Sequence, residues 1–535
     1  MAAGEERRLS EILIHLLAAL LLFTLLRQGT DFVADASPGH IWLWAGIVAA
    51  PALGFGWVGY RALPAFAVRA MRGAACFLTL YFLAEPFAIP YAALGPEHPA
   101  SLFHAHARWV GAALALVGFW RPSAIFAAAM ILWMMRELQT GITGFYFSTL
   151  DIRNVAEVIA FWAIGFVVIG SARAIPRVRA ALGVDEAVLG RAALTIFAAG
   201  VGAHLANYFW SGLAKLTLDG GPLSWPLGNR LADGVPAALE KGTMPFAAWP
   251  GAVQLIHDVL VWTAIPVNLL ALGVQLIAIA APLRRRWLLL ATLSFDLFHI
   301  IVWASLGLLF WKWIALNLII VAALTRVDER DWTALPRWTC IAFVIAGMAM
   351  FRTATLAWYE TPGFATPHFE AVMDDGTRHR IPNAYFNSSS YQVSQGRLWW
   401  PGGKDHFNPS IWGSVLHWDD ALAGRNCRVP ERAAPAAPEW GPTDALARFV
   451  QAHHRQMLPR LDAAGRSNYY LVPHHHVPSA FVADRFSALD KRRIATYIYV
   501  MDSVCLGLDH GRLTRRVVAH TELPLYDAKH DRVLP

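Results

Sequence analysis

One lysine closes an otherwise apolar stretch, Tyr208-Phe-Trp-Ser-Gly-Leu-Ala-Lys-Leu216. An ionisable group at membrane depth is costly, so it pairs, snorkels toward headgroups or functions. As a functional group Lys215 would be a base: an amine in a dry site can take a proton from an apolar substrate. Ser211 and Gly212 are small and let another helix approach closely. A second polar pair lies in Ser294-Phe-Asp-Leu-Phe-His-Ile300. Asp296 and His299 are three residues apart and share one helix face. They form either a functional polar site or a structural hydrogen bond between helices. His204, Asn207, His257, Asp258, Asn268, Lys312 and Asn317 are also polar within apolar surroundings, and several of these serve only to hold helices together. His474-His475-His476 could place two imidazoles on one strand face, with His453 or His454 as a third ligand. The plainer reading is a polar surface segment between two prolines, and no metal site is predicted.

These residues need a scaffold, and the composition names its solvent. Hydrophobic residues make up 56% of the 535 and charged residues 16%, against roughly a quarter charged in soluble proteins. The apolar residues form long runs up to about residue 352 and disperse afterwards. A helix crosses a bilayer core with about 20 apolar residues. The candidates are Ile12–Leu26, Ile41–Tyr60, Met71–Leu94, Trp109–Trp120, Ser123–Met135, Val155–Ile169, Ala192–Leu213, Val253–Ala281, Trp287–Leu306, Leu309–Leu324 and Trp338–Met350. The fourth and fifth meet at Arg121-Pro122 and are two short helices or one broken one, so the expectation is nine to eleven crossings. Glu5–Arg8 followed by Ile12–Leu26 reads as the first crossing rather than a cleavable signal.

Positive charge falls in every second connection: Arg7/Arg8, Arg61/Arg69/Arg72, Arg121, Arg173/Arg177/Arg179, Arg284–Arg286 and Arg326/Arg330/Arg337. This predicts a cytoplasmic N-terminus and an extracytoplasmic C-terminal part. Arg27, Arg108, Arg136 and Arg153 are single exceptions. The long connection Thr217–Ala252, with Trp225 and Trp249, lies along the interface or caps a cavity. Beyond Arg352, Phe369–Met373, Asp374-Asp-Gly376 and Thr377–Ile381 predict a β-hairpin. Asp444–Leu461 predicts an amphipathic helix. Asn468–Val472, Ile494–Val500 and Leu513–His520 predict strands, and Pro430–Pro442 a loop. The fold expected is a polytopic helical membrane bundle over residues 1–352, followed by an α+β or mostly-β extracytoplasmic domain over 353–535.

The net charge of +7 does not point to nucleic acid, because the basic residues are scattered between apolar runs rather than clustered. Cys76 and Cys340 lie in apolar runs. Cys427 and Cys505 can pair if their part of the chain faces an oxidising compartment. P-loop, dinucleotide-binding, His-Glu-x-x-His and Gly-x-Ser-x-Gly motifs are absent, which moves ATP-driven transport, nicotinamide chemistry and common hydrolases out of the front rank.

Tyr208–Leu216 followed by Trp225 resembles the aromatic, small-Gly-x-x-Lys-Leu, then Trp signature of the vitamin K-dependent γ-carboxylase and its bacterial relatives carrying the horizontally transferred transmembrane domain. Phe298-His299 and the aromatic run to Trp313 resemble that family's later Phe-His helix. Phe369–Ile381 and Asp444–Leu461, with Leu458-Pro459, resemble the opening hairpin and following helix of the carboxylase lumenal domain. The ordered set spans about residues 10–500. The resemblance implies an intramembrane base at Lys215 acting on vitamin K hydroquinone or a related quinol, with His299 and Asp296 nearby. It also implies a cofactor-binding surface drawn from Tyr208, Ser211, Gly212, Trp225, His257 and Asp258, and a peptide or protein substrate at the C-terminal domain. The implied setting is a bacterial inner membrane. The chain departs from the family at Arg153-Asn154-Val155, where a histidine is missing, and after Tyr469, where Pro473-His-His-His-Val-Pro478 replaces the lumenal Asn-x-Arg and Asp-Pro motifs. Those departures keep a second reading open, a non-catalytic membrane scaffold whose outer domain docks a partner. A transporter would show paired broken helices in two halves, and one break, at Pro122, is evident.

Overall fold

The computed structural model describes residues 2–54, 59–84, 97–142, 150–177, 185–389, 393, 399, 405–408, 413–430, 443–467, 469, 475–479 and 484–535. The first part is helical: α1 (Ala2–Ala36), α2 (Ile41–Gly54), α3 (Ala65–Ala84), α4 (Pro99–Val117), α5 (Pro122–Ile142), α6 (Leu150–Ala174) and α7 (Glu186–Leu216). There follow α8 (Ser224–Gly228), α9 (Gly234–Glu240), α10 (Pro250–Trp262), α11 (Ala264–Leu276), α12 (Arg285–Leu306), α13 (Trp311–Leu324) and α14 (Ala334–Ala346). Each apolar run expected to cross is mostly helical where it is described. Five helices among the described residues are long and apolar enough for a bilayer, or six if α10 and α11 count as one span. The sequence expectation of nine to eleven is not met by that measure. One reason is length: α13 and α14 have 14 and 13 residues, about 20 Å of helix against a hydrocarbon core of about 30 Å.

The run Val253–Ala281 is not a straight helix. Its halves bend by 83° at Thr263, three residues before Pro266, whose ring forbids a continuous hydrogen-bond ladder. In α7, by contrast, nothing interrupts 31 residues. Asp185 caps its start by accepting from the Ala187 N–H at 3.2 Å, and Lys215 in the last turn complements the negative end of the dipole. Gly200 and Gly202 let neighbours touch the α7 backbone. A Cβ on Gly202 would lie 2.2 Å from the Cys340 carbonyl of α14.

Three of the four arginines that broke the charge alternation are interior groups. Arg153 pairs with Asp31 at 3.1 Å and Glu137 at 3.2 Å, and Arg27 lies 3.7 Å from Glu157. Arg136 donates to the Tyr81 hydroxyl. They join α1, α3, α5 and α6 and are not orienting charges. Ion pairing of this kind is how charge is tolerated inside an apolar bundle.

After α14 the chain runs extended along α7, and side chains of two helices hold its backbone. Glu157 accepts from the Arg352 N–H at 2.5 Å and Asn154 donates to the Arg352 carbonyl at 2.7 Å. Asn207 accepts from Ala354 N–H at 2.8 Å. Ser211 donates to Ala354 O at 3.2 Å and accepts from Leu356 N–H at 2.9 Å. Lys215 donates to Leu356 O at 2.6 Å. Asn207, Ser211 and Lys215 are spaced by four, so one stripe of the helix faces a strand-like segment. Buried backbone groups need partners, and here a helix supplies them in place of a neighbouring strand.

The strands follow: β1 (Tyr359–Glu360), β2 (Gly363–Met373), β3 (Arg378–Ile381), β4 (Ser414–Val415), β5 (Ile494–Asp509), β6 (Arg512–Asp527) and β7 (Arg532–Val533), with helices α15 (Trp418–Arg425) and α16 (Thr443–Met457). β1 pairs with β4, and the main sheet has the antiparallel order β3-β2-β5-β6-β7. The expected hairpin is present, with Gly376 at φ +83° in its turn. The expected amphipathic helix is α16, which lays Leu446, Phe449, Val450 and Met457 on the sheet core. The two later strands are longer than expected, as β5 and β6. The strand expected at 468–472, except Tyr469, and the loop after Pro430 lie outside the described residues. Cys427 and Cys505 form a disulfide. The His475 and His476 side chains are buried, which corrects the expectation of a surface segment; His474 lies outside the described residues. No group of three metal-ligating side chains occurs among the described residues.

One face of the sheet carries a charge network that predicts a pH effect. His520 lies 2.6 Å from Asp502 and 2.8 Å from Glu522, with Arg515 on Asp502 and Arg378 on Glu522. The two carboxylates hold the imidazole above its ordinary range. A raised folded-state pKa gives stability that is complete below the unfolded value and lost as pH rises through the folded one. His520→Gln should therefore lower the melting temperature more at about pH 6 than at about pH 8, the two sides of an ordinary imidazole. Equal losses at both would show that the ion pairs contribute nothing.

Candidate functional site

A cavity of about 150 Å³ lies between α7, α11, α12 and the extended segment. Its wall includes Tyr208, Ser211 and Lys215 from α7, Trp225 from α8, His299 from α12, Phe310 and Trp313 at the start of α13, and Leu356, Trp358 and Glu360. The long connection after α7 thus caps the cavity through Trp225, one of its two expected roles. The bend between α10 and α11 leaves Leu260 and Leu270 on the other side. Leu270 and Ile301 on the rim are 64% and 51% exposed; in a bilayer those side chains would face lipid.

Lys215 is buried. Its Nζ donates to the Leu356 carbonyl at 2.6 Å and to the Ser211 carbonyl at 3.3 Å, and lies 5.2 Å from the Trp225 ring centre. It does not snorkel. A neutral amine has two N–H bonds and one lone pair. In that form the two carbonyls would take both N–H groups and the lone pair would remain.

His299 and Asp296 diverge in role. His299 packs against Tyr208 at 5.5 Å and Phe310 at 5.3 Å between ring centres, and its Nδ1 is buried without a hydrogen-bond partner. Asp296 accepts from Asn317 Nδ2 at 2.8 Å. Asn317 also reaches the Tyr208 hydroxyl at 3.0 Å and His204 Nε2 at 2.9 Å. Asp296 therefore sits behind the cavity wall, in a network linking α7, α12 and α13. Gly212 has its expected use: a Cβ there would lie 3.0 Å from Gln275 Cβ, so α11 packs directly on α7. His257 and Asp258 do not line the cavity; they contact each other at 3.3 Å, and Gln254 donates to Asp258 at 2.8 Å. Their helix bends away at Thr263 and leaves only Leu260 at the cavity.

The sequence reading passed over Glu360. It is 7% exposed, and Oε1 accepts from Trp358 Nε1 at 3.0 Å while Oε2 has no hydrogen-bond partner. Burial holds its carboxyl above the usual range, against the pull of the Lys215 charge. The signal was a carboxylate directly after the aromatic pair Trp358-Tyr359. Also unforeseen is the His475 segment, whose ring stacks on Phe310 at 4.8 Å and whose carbonyl accepts from Leu309 N–H at 2.8 Å. The C-terminal part thereby touches the cavity wall.

Comparison with family models, curated proteins and solved structures finds no match for this chain. It is a mostly helical protein with about five apolar helices of membrane-spanning length and a C-terminal sheet.

Proposed function

We propose that the chain is a membrane-embedded enzyme of the kind its sequence resembles, a divergent γ-carboxylase-like protein in which Lys215 is the base. One observation carries this reading: a buried amine, held by two backbone carbonyls, on the wall of a largely apolar, aromatic cavity. The cavity suits a flat, lipid-soluble ring. A volume near 150 Å³ accepts a benzene-sized group, and a fused ring would extend into the gap beside Leu270 and Ile301. Tyr208, Trp225, Phe310 and Trp313 would hold such a quinol, and when bound it supplies an acidic hydroxyl and a reducing equivalent. Lys215 takes the proton; Leu356 and Ser211 fix the amine; the apolar wall excludes water that would quench a strong base. His299, in ring contact with Tyr208, orients the aromatic wall.

In this reading the helices that fall short of a full span join the five longer ones in an eleven-crossing bundle of a bacterial inner membrane. The C-terminal domain is extracytoplasmic and presents a peptide or protein. The Cys427–Cys505 disulfide supports that side, since disulfides persist in oxidising compartments. Lys215→Ala should cut consumption of a reduced quinol by reconstituted protein by about 10²–10⁴-fold, the usual worth of a general base. Unchanged turnover would remove the assigned role. The scaffold reading has its own support: the Lys215–Leu356 bond is also a structural clamp. Wild-type protein that consumes no quinol and purifies with a stoichiometric partner would establish it instead.

A further inference from the structure

The base needs somewhere to put its proton, and the carboxylates behind Lys215 lead toward water. Glu360 lines the same cavity as Lys215. β1, which carries Glu360, packs on the turn Leu231–Asp233. A Cβ on Gly234, next to Asp233, would lie 3.8 Å from Glu360 Cγ. Asp233 is 4% exposed and pairs with Arg230 at 3.3 Å, and the Arg230 side chain is 50% exposed. The groups thus run inward to outward as Lys215, Glu360, Asp233 and the Arg230 surface.

We propose that Glu360 and Asp233 form a proton relay between Lys215 and water at the Arg230 face. An N–H bond of the Lys215 ammonium breaks and its proton goes to the unpartnered Glu360 Oε2. The Glu360 carboxylic acid passes a proton to the Asp233 carboxylate, and Asp233 releases it to water beside Arg230. The amine is regenerated and no electron moves. Burial holds the Asp233 carboxyl up at about 7 and the Glu360 carboxyl above its usual range. The charged groups facing them are Lys215 from α7, Arg230 from the turn and Arg425 from α15, whose Nη2 is held by the Gly228 carbonyl at 2.6 Å.

The relay rests on the base reading but is tested without turnover. Full-length protein in phospholipid nanodiscs is titrated with pH while the infrared bands of protonated carboxyls are followed. Glu360→Gln and Asp233→Asn, both nearly isosteric, each remove one band and so assign it. Lys215→Met should move the Glu360 midpoint up, and Asp233→Asn should move it down. Each shift should be about one pH unit, the low end for a nearby charge. If Glu360→Gln does not fold, the wild-type band and the two other variants still give the coupling. Midpoints that ignore the other substitutions would overturn the relay and leave the quinol assay to judge the base. Coupled midpoints alongside unchanged quinol turnover in Lys215→Ala would keep the path and overturn the base.

Discussion

Replacing Asn207 by leucine should cost about 2–5 kcal/mol of stability, since each stranded buried polar group costs about 1–3 kcal/mol. Asn207 is fully buried. Its Oδ1 accepts from Ala354 N–H at 2.8 Å, and its Nδ2 donates to Asn154 Oδ1 at 2.9 Å and to the His204 carbonyl at 2.8 Å. Leucine has similar bulk, so cavity and overpacking effects stay small. What changes is that the Ala354 N–H and the Asn154 Oδ1 lose their partners. The extended segment should then detach from α7 between Arg352 and Leu356, taking with it the carbonyl that holds Lys215. Thermal unfolding in detergent, compared with the exposed Ser294→Ala, measures the loss. Protease cleavage within 352–358 should rise in the variant. A melting temperature equal to that of the control would mean that the polar stripe on α7 does not hold the segment.

This stripe marks the limit of what the sequence makes legible. Asn207 and Lys215 stood out as polar residues in an apolar run and Ser211 as a small one; α7 puts all three on one face. Nothing in that spacing says that the partner is an extended backbone 145 residues from Ser211 along the chain. Backbone acceptors are the same at every residue and leave no trace in side-chain types. The same blindness hid Glu360. A carboxylate beyond the last apolar run looks like an ordinary polar residue until β1 folds back under the cavity. His257 and Asp258 failed for another reason: the 83° bend at Thr263 turns their helix away, and periodicity within a run does not show a change of axis. Local signals served better. The Asp374-Asp-Gly376 turn, the amphipathic face of α16 and the small residue at Gly212 depend on neighbours in sequence or on steric size alone.

Removing the disulfide should have an effect of similar size and should also test the proposed extracytoplasmic placement of the sheet. Cys427 follows α15, and Cys505 lies in β5, the central strand of the main sheet, 78 residues on. Closing a loop of that length restricts the unfolded chain, and losing a native disulfide typically costs 2–5 kcal/mol, about the measured range for small domains. The Cys427→Ser/Cys505→Ser double variant should unfold earlier by that margin. The bridge adds to close packing that is already present: a Cβ on Gly363 of β2 would meet the Gly424 carbonyl of α15 at 2.6 Å. That contact should keep the variant folded at low temperature. The thiol count then decides the compartment. Of the four cysteines, Cys76 and Cys340 are free. Protein taken from cells, denatured without reductant and treated with a maleimide polymer, should gain two labels, and after reduction the other two as well. A domain facing a reducing cytoplasm would take all of them at once. That outcome would reverse the orientation expected from the arginine pattern, and would put the proposed proton exit at Arg230 on the opposite side of a bilayer.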